Sequence, residues 1–292
     1  MGTFRDRIKS GRFVVTGEVS PPAGTDYSAM LASLEILKPV CHAVNVTDNQ
    51  GATLHLSSMA ASRVLLDHGL EPVFQQTCRD RNRLALQSDA LAAWTLGLEN
   101  VLAVTGDDTR GGDHPESKSV YDIDSTQLIV ALKRMNEGFA MNDRELAGGT
   151  DFFIGAAVFP EAEPWPVAKA RAAQKVEAGA EFFQTQAVMD IDIFAERVRE
   201  IQELGVKVIG GILLLKSPRV IDFINRRLAG LTVPEHVSSR IVAAEDPLEE
   251  AIALAIEQAK VIHEVCDGIH VMPLGADAAV PRILEGAGIT LD

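Results

Sequence analysis

The chain has 292 residues, 47% hydrophobic and 23% charged, which fits one large folded globular domain. Its 27 Lys and Arg against 41 Asp and Glu give a net charge of −14, which argues against nucleic acid or an anionic membrane surface as partner. No run approaches the ~18 apolar residues of a membrane span, and Met1 to Lys9 has no apolar signal-peptide core, so a cytoplasmic protein is expected.

Strand-like and helical patterns alternate from one end to the other. The first strand is expected at 13–18, followed by a helix at 27–38 with Met30, Leu31, Leu34 and Leu37 at three- and four-residue spacing. Strand 43–47 then precedes helix 56–68, and strand 72–77 precedes helix 82–96. Strand 101–107 leads into the longest polar stretch, 107–124, and a helix at 125–137 with Ser125 as its N-cap. Strand 152–159 precedes helix 167–178, and strand 182–188 precedes helix 191–204. Strand 206–215 is followed by helix 217–229, with Pro218 suited to its first turn. A strong amphipathic helix at 249–266 precedes the last strand, 268–274, and a closing helix at 276–287. Gly69, Gly97, Gly138, Gly179, Gly205 and Gly230 stand just past helices, where chains stop them.

Eight such units indicate an α/β fold, a (β/α)8 TIM barrel with an extra helix before the last strand; a doubly wound open sheet is the alternative. One catalytic barrel domain is expected over 1–292. Cys41, Cys78 and Cys266 are too far apart for a metal pair, and the seven histidines show no ligand spacing, so no metal site is expected.

In a barrel, chemistry sits at the C-terminal ends of the strands, and polar residues gather there. Glu18 ends an apolar strand before Pro21-Pro22; partial burial would suit it to proton donation, and from the residues alone a solvated loop acid capping the next element is the stronger reading. Gly106 allows a close backbone approach, and Asp107 beside it is either a ligand contact or a turn acid. Gln184 and Gln186 share one strand face, where two amides match the polar edge of a pterin or flavin ring; a pair of satisfied core amides is the alternative.

The order of these motifs resembles the methylenetetrahydrofolate reductase family over nearly the whole chain. The matching positions are Glu18-Val19-Ser20-Pro21-Pro22, Val46-Thr47, Thr77-Cys78, Gly106-Asp107, Pro160-Glu161, Lys175 to Ala180, Thr185-Gln186 with Asp190, and Gly211-Ile212-Leu213. The segment from Gly112 to Ser125 looks like the short bacterial and acetogen-type branch.

The resemblance implies a flavin-dependent enzyme interconverting 5,10-methylenetetrahydrofolate and 5-methyltetrahydrofolate. Hydride would pass from NAD(P)H through flavin N5. Glu18 would be the general acid and Asp107 would stabilise the cationic iminium. Gln186, Gln184 and Lys216 would meet the folate. Thr47, Gln75, Thr77, Gly106, Asp107, Tyr121 and Lys175 would meet the cofactor, FAD or alternatively FMN. A homo-oligomer is implied, with a partner subunit as an alternative electron donor.

Several family positions differ. Gln75 replaces a histidine, Thr105 an arginine, Phe159 a tyrosine and Glu163 a histidine; Leu215 to Pro218 lacks the family's stacking phenylalanine. These changes motivate a second reading, a flavin-free methyltransferase or folate-binding subunit.

Overall fold

A computed structural model describes residues 3–227 and 232–291. Eight parallel strands pair in sequence order and close on themselves: β1 (Val14–Val19), β2 (Ala43–Val46), β3 (Glu71–Thr77), β4 (Asn100–Val104), β5 (Phe153–Val158), β6 (Phe182–Ala187), β7 (Lys207–Leu213) and β8 (Gly268–Met272). The helices are α1 (Phe4–Lys9), α2 (Ser28–Leu37), α3 (Ser58–Asp67), α4 (Arg83–Thr95), α5 (Ser125–Asn136), α6 (Trp165–Ala178), α7 (Ile191–Gln202), α8 (Pro218–Arg227), α9 (Glu235–Ala243), α10 (Pro247–Val265) and α11 (Ala279–Gly286). The expected barrel and the helix before its last strand are both present.

Alternation along each strand divides its side chains between two environments. Outward residues such as Val15, Val44, Phe74, Ala103, Ile154, Phe183, Val208 and Ile269 are buried under the helices. Each fully buried aliphatic or aromatic side chain of this kind contributes about 1.5–3 kcal/mol. Inward residues form a separate plug near the N-terminal ends of the strands: Val14, Ala43, Val73, Leu102, Phe153, Phe182 and Ile209 pack with Phe4 and Ile8 of α1. Phe182 stacks on Phe153 at 4.9 Å, and Phe4 meets both rings edge-on. This apolar plug closes one end of the barrel, so polar inward residues nearer the other end line a cup.

Helix ends follow the sequence signals closely. Gly69, Gly97, Gly138, Gly179 and Gly205 all adopt positive φ where the helices stop; the expected stop at Gly230 lies outside the described residues. Two local expectations are corrected. Ser125 is not the N-cap of α5: Asp124 is, in a capping box with Gln127. A carboxylate one residue earlier reaches the orphan N–H groups, and Ser125 is drawn inward to Thr105 Oγ1. The fourth strand ends at Val104, before Asp107, because Gly106 turns with φ +93. Two helices carry no expectation from the sequence. The six-residue α1 is held by a Thr3–Asp6 capping box, and α9 adds to α10 in the seventh unit.

Candidate active site

The mouth of the cup lies at the C-terminal ends of the strands. The register of β1 sets Glu18 beside Asn45 of β2, and Thr16 beside His270 of β8. All four alternate inward. Glu18 is only 9% exposed, and His270 and Asn45 are fully buried. Glu18 Oε2 lies 3.8 Å from His270 Nε2. Asn45 Nδ2 donates to Gln184 Oε1 at 2.5 Å. The acid therefore stands on a layer of polar side chains rather than in loop solvent, which removes the solvated-loop reading of Glu18.

The loops after β2, β3 and β4 form one braced wall. Asp48, buried after β2, accepts from the Thr77 N–H and from Arg81. Buried Arg79 pairs with Asp80 and also donates to the carbonyls of Asn49 and Asp107. Tyr121, in the long loop before α5, donates its hydroxyl to the Asp107 carbonyl at 2.8 Å. The Asp107 carboxylate accepts the Gly51 N–H at 3.2 Å and is itself exposed. A Cβ on Gly106 would stand 2.3 Å from Thr77 Cγ2, so only glycine fits there.

The expected contacts divide on inspection. Glu18, Asp107, Gly106 and Gln186 reach the mouth, where Asp107, Gly106 and Gln186 are exposed. Gln75 does not: half-buried, it lies one inward step above Val73 of the plug and opposite Leu102 in register, level with the floor. Thr47 is nearly buried just after β2. Gln184 is one pleat deeper and spends its oxygen on Asn45, so it forms floor rather than a second reading amide. Thr77 is buried, its hydroxyl spent on the Asp48 carbonyl, and it works as the support of Gly106. Lys175 lies on α6, and its ammonium donates to the Ala157 carbonyl of β5 at 2.7 Å. Burial lowers its pKa. Lys216 donates to the Leu274 carbonyl, joining the loops after β7 and β8.

Sequence reasoning missed Thr16, Asn45 and His270. Their signal was available: each interrupts an apolar strand at inward parity. It also left Glu161 without a role. Glu161 accepts the N–H groups of Met189 and Asp190 and so fixes the exit from β6. Burial pushes its carboxyl up to about 7.

The donor set can be tested against the cofactor that the motifs imply. Gly106 and Asp107 are exposed after β4 and are the residues placed to meet the polar edge of a flavin ring, with their carbonyls already engaged by Tyr121 and Arg79. Charge is less available for its phosphates. Arg79, Arg81, Arg83 and Arg110 pair with Asp80, Asp48, Asp122 and Asp108 respectively. Among the described residues no group of three or more His, Cys, Asp or Glu is placed to hold a metal ion, and no helix is long and apolar enough to cross a membrane.

Comparison with known proteins decides the family. The model of the methylenetetrahydrofolate reductase family matches residues 3–288. The chain belongs to the methylenetetrahydrofolate reductase family. It is 28% identical over 218 residues to the 5,10-methylenetetrahydrofolate reductase of Pectobacterium carotovorum, covering 70% of this chain and 64% of that one. It is 23% identical over 259 residues to methylenetetrahydrofolate reductase 1 of Schizosaccharomyces pombe, covering 84% of this chain and 40% of that one. The chain thus spans less than two thirds of these relatives. Among solved structures it resembles a Clostridium thermocellum protein that binds two copies of 5-methyl-5,6,7,8-tetrahydrofolic acid, with a TM-score of 0.69 at 13% identity, covering 97% and 99% of the two chains. Tryptophan synthase from Mycobacterium tuberculosis shares the fold at a TM-score of 0.56.

Proposed function

We propose that this chain is a single catalytic barrel that interconverts 5,10-methylenetetrahydrofolate and 5-methyltetrahydrofolate. The observation that carries the reading is Glu18, a nearly buried carboxylate on the inner wall of the mouth of a barrel in this family. The folate-binding neighbour of the same fold supports a reduced folate as substrate.

In this reading Gln186 hydrogen-bonds the pterin with an amide that has one donor face and one acceptor face. Glu18 donates its proton to the departing nitrogen of the imidazolidine ring and leaves a cationic iminium. The exposed Asp107 carboxylate stabilises that cation as it forms. The buried floor of Asn45 and Gln184 keeps water from below the reacting carbon. A flavin held by Gly106, Asp107, Thr47 and Tyr121 supplies hydride chemistry when bound, with NAD(P)H or a partner subunit as electron source. The enzyme works in the cytoplasm as a homo-oligomer. Purified protein should bind reduced folate and turn it over, and Glu18→Gln should abolish turnover while retaining folate binding. Full activity of Glu18→Gln overturns the assignment.

One observation favours a second reading. Each arginine of the wall is paired with an aspartate, and Lys175 is spent on a backbone carbonyl, so a flavin diphosphate gains little charge there. A flavin-free folate-binding subunit or methyltransferase fits that economy of cations. The absorption spectrum after incubation with FAD and with FMN separates the readings: a retained flavin band supports the reductase and names its cofactor, and a colourless protein supports the alternative.

A further inference from the structure

His270 lies at the centre of the inner wall and no sequence motif drew attention to it. It is fully buried on β8. Its Nδ1 is 3.0 Å from Thr16 Oγ1, and its Nε2 has no hydrogen-bond partner although it faces Glu18 Oε2 at 3.8 Å. The Thr16 hydroxyl has one proton and two acceptors in reach, the Ile269 carbonyl at 3.3 Å and His270 Nδ1 at 3.0 Å. When the carbonyl takes that proton, a lone pair of Thr16 Oγ1 faces Nδ1, Nδ1 carries the ring hydrogen and Nε2 is a bare acceptor.

A bare nitrogen repels a carboxylate and attracts a protonated carboxyl. A turn of the Glu18 carboxyl that closes about 1 Å brings O–H and Nε2 to ordinary hydrogen-bond distance. The groups flanking His270 in register are neutral: Thr16 on β1 and Gly211 on β7. Across the floor Asn45 and Gln184 are neutral amides engaged with each other. Among the described residues Glu18 is the titratable side chain within ion-pair distance of His270.

We propose that His270 is a positioning residue for the general acid: Thr16 fixes its tautomer, and Nε2 accepts a hydrogen bond from the protonated Glu18 carboxyl, keeping that proton in place and aimed into the mouth. The proton stays on Glu18 until folate takes it, and no bond is made to His270. This inference rests on the function proposed above.

Two measurements test it. Nitrogen-15 NMR of the full chain, with the His270 signal assigned by its loss in a His270 variant, should show Nδ1 protonated and Nε2 bare. An Nε2–H tautomer overturns the proposal without reference to activity. The second measurement is the pH–rate profile of methylenetetrahydrofolate reduction. His270→Leu should lower kcat roughly tenfold or more, leave KM within about twofold, and move the alkaline limb to lower pH, because the acid form of Glu18 has lost its acceptor. His270→Gln, whose amide reaches the position of Nε2, should restore the limb. If His270→Leu does not fold, Thr16→Val reads the same shift by releasing the tautomer. Wild-type protein without folate turnover would sink the proposed function. Wild-type turnover with an unmoved limb in these variants would sink the role of His270 alone.

Discussion

Asn45 and Gln184 meet across the inside of the barrel, with Asn45 Nδ2 donating to Gln184 Oε1 at 2.5 Å. The pair joins β2 to β6, strands on distant parts of the wall. Asn45 Oδ1 is already without a partner. Gln184→Leu would strip the amide of its remaining partner as well, at a cost of about 1–3 kcal/mol. Chemical denaturation should show that loss. Gln186→Leu, in the exposed mouth, should leave stability nearly unchanged and weaken folate binding in calorimetry.

Glu18→Gln keeps the size of the side chain and removes the transferable proton. Turnover should fall by about 10²–10⁴, the usual worth of a positioned general acid. Calorimetric affinity for 5-methyltetrahydrofolate should change far less, since an amide still fills the site.

Gly106→Ala adds a methyl carbon at 2.3 Å from Thr77 Cγ2, on a backbone with φ +93. Left-handed strain and overpacking together predict a loss of about 3 kcal/mol. Melting temperature reads it, and the Gly106–Asp107 turn should lose cofactor binding at the same time.

The Glu161 carboxyl is raised from 4.5 to about 7, mainly by burial. The folded state therefore favours its protonated form more than the unfolded state does. Its contribution to stability is fully present below about 4.5 and is lost as pH rises through 7. The stability difference between wild type and Glu161→Gln should shift across that window, against Glu161 at the higher pH. A difference that stays flat from pH 4.5 to 7 refutes the raised carboxyl.

His42 behaves in the opposite sense. Its Nδ1 accepts the Val15 N–H at 2.9 Å, and burial first, then Arg7, lowers its pKa from 6.5 to about 4. Its contribution is present above 6.5 and is lost as pH falls through 4. A His42→Asn variant should be less stable than wild type at neutral pH, with the gap narrowing toward pH 4 in denaturation experiments.

The barrel itself was readable because each apolar run and each helix stop is a local signal. Gly97 ends a helix whatever the rest of the chain does. The mouth was readable in part, since Glu18, Asp107 and Gln186 carry short motifs at strand ends. What was hidden depends on how far a side chain reaches. Lys175 sits in a motif, yet its ammonium turns to the Ala157 carbonyl. Thr77 and Gln184 also sit in motifs, and their polar atoms go to Asp48 and Asn45. His270 shows the converse: it sits in no motif, and only the closing of β8 against β1 brings it to Glu18. Pairing between the first and last strands spans more than 250 residues, and no local pattern records it.

The plug of Phe4, Ile8, Phe153 and Phe182 gives the polar column above it a single doorway. A ligand seated in the mouth is therefore also a stopper. While it stays, that ligand is the outlet for a proton on Glu18. On the proposed function, a proton given up in one turnover would be replaced when the doorway reopens, which would tie the recharging of the acid to the departure of product.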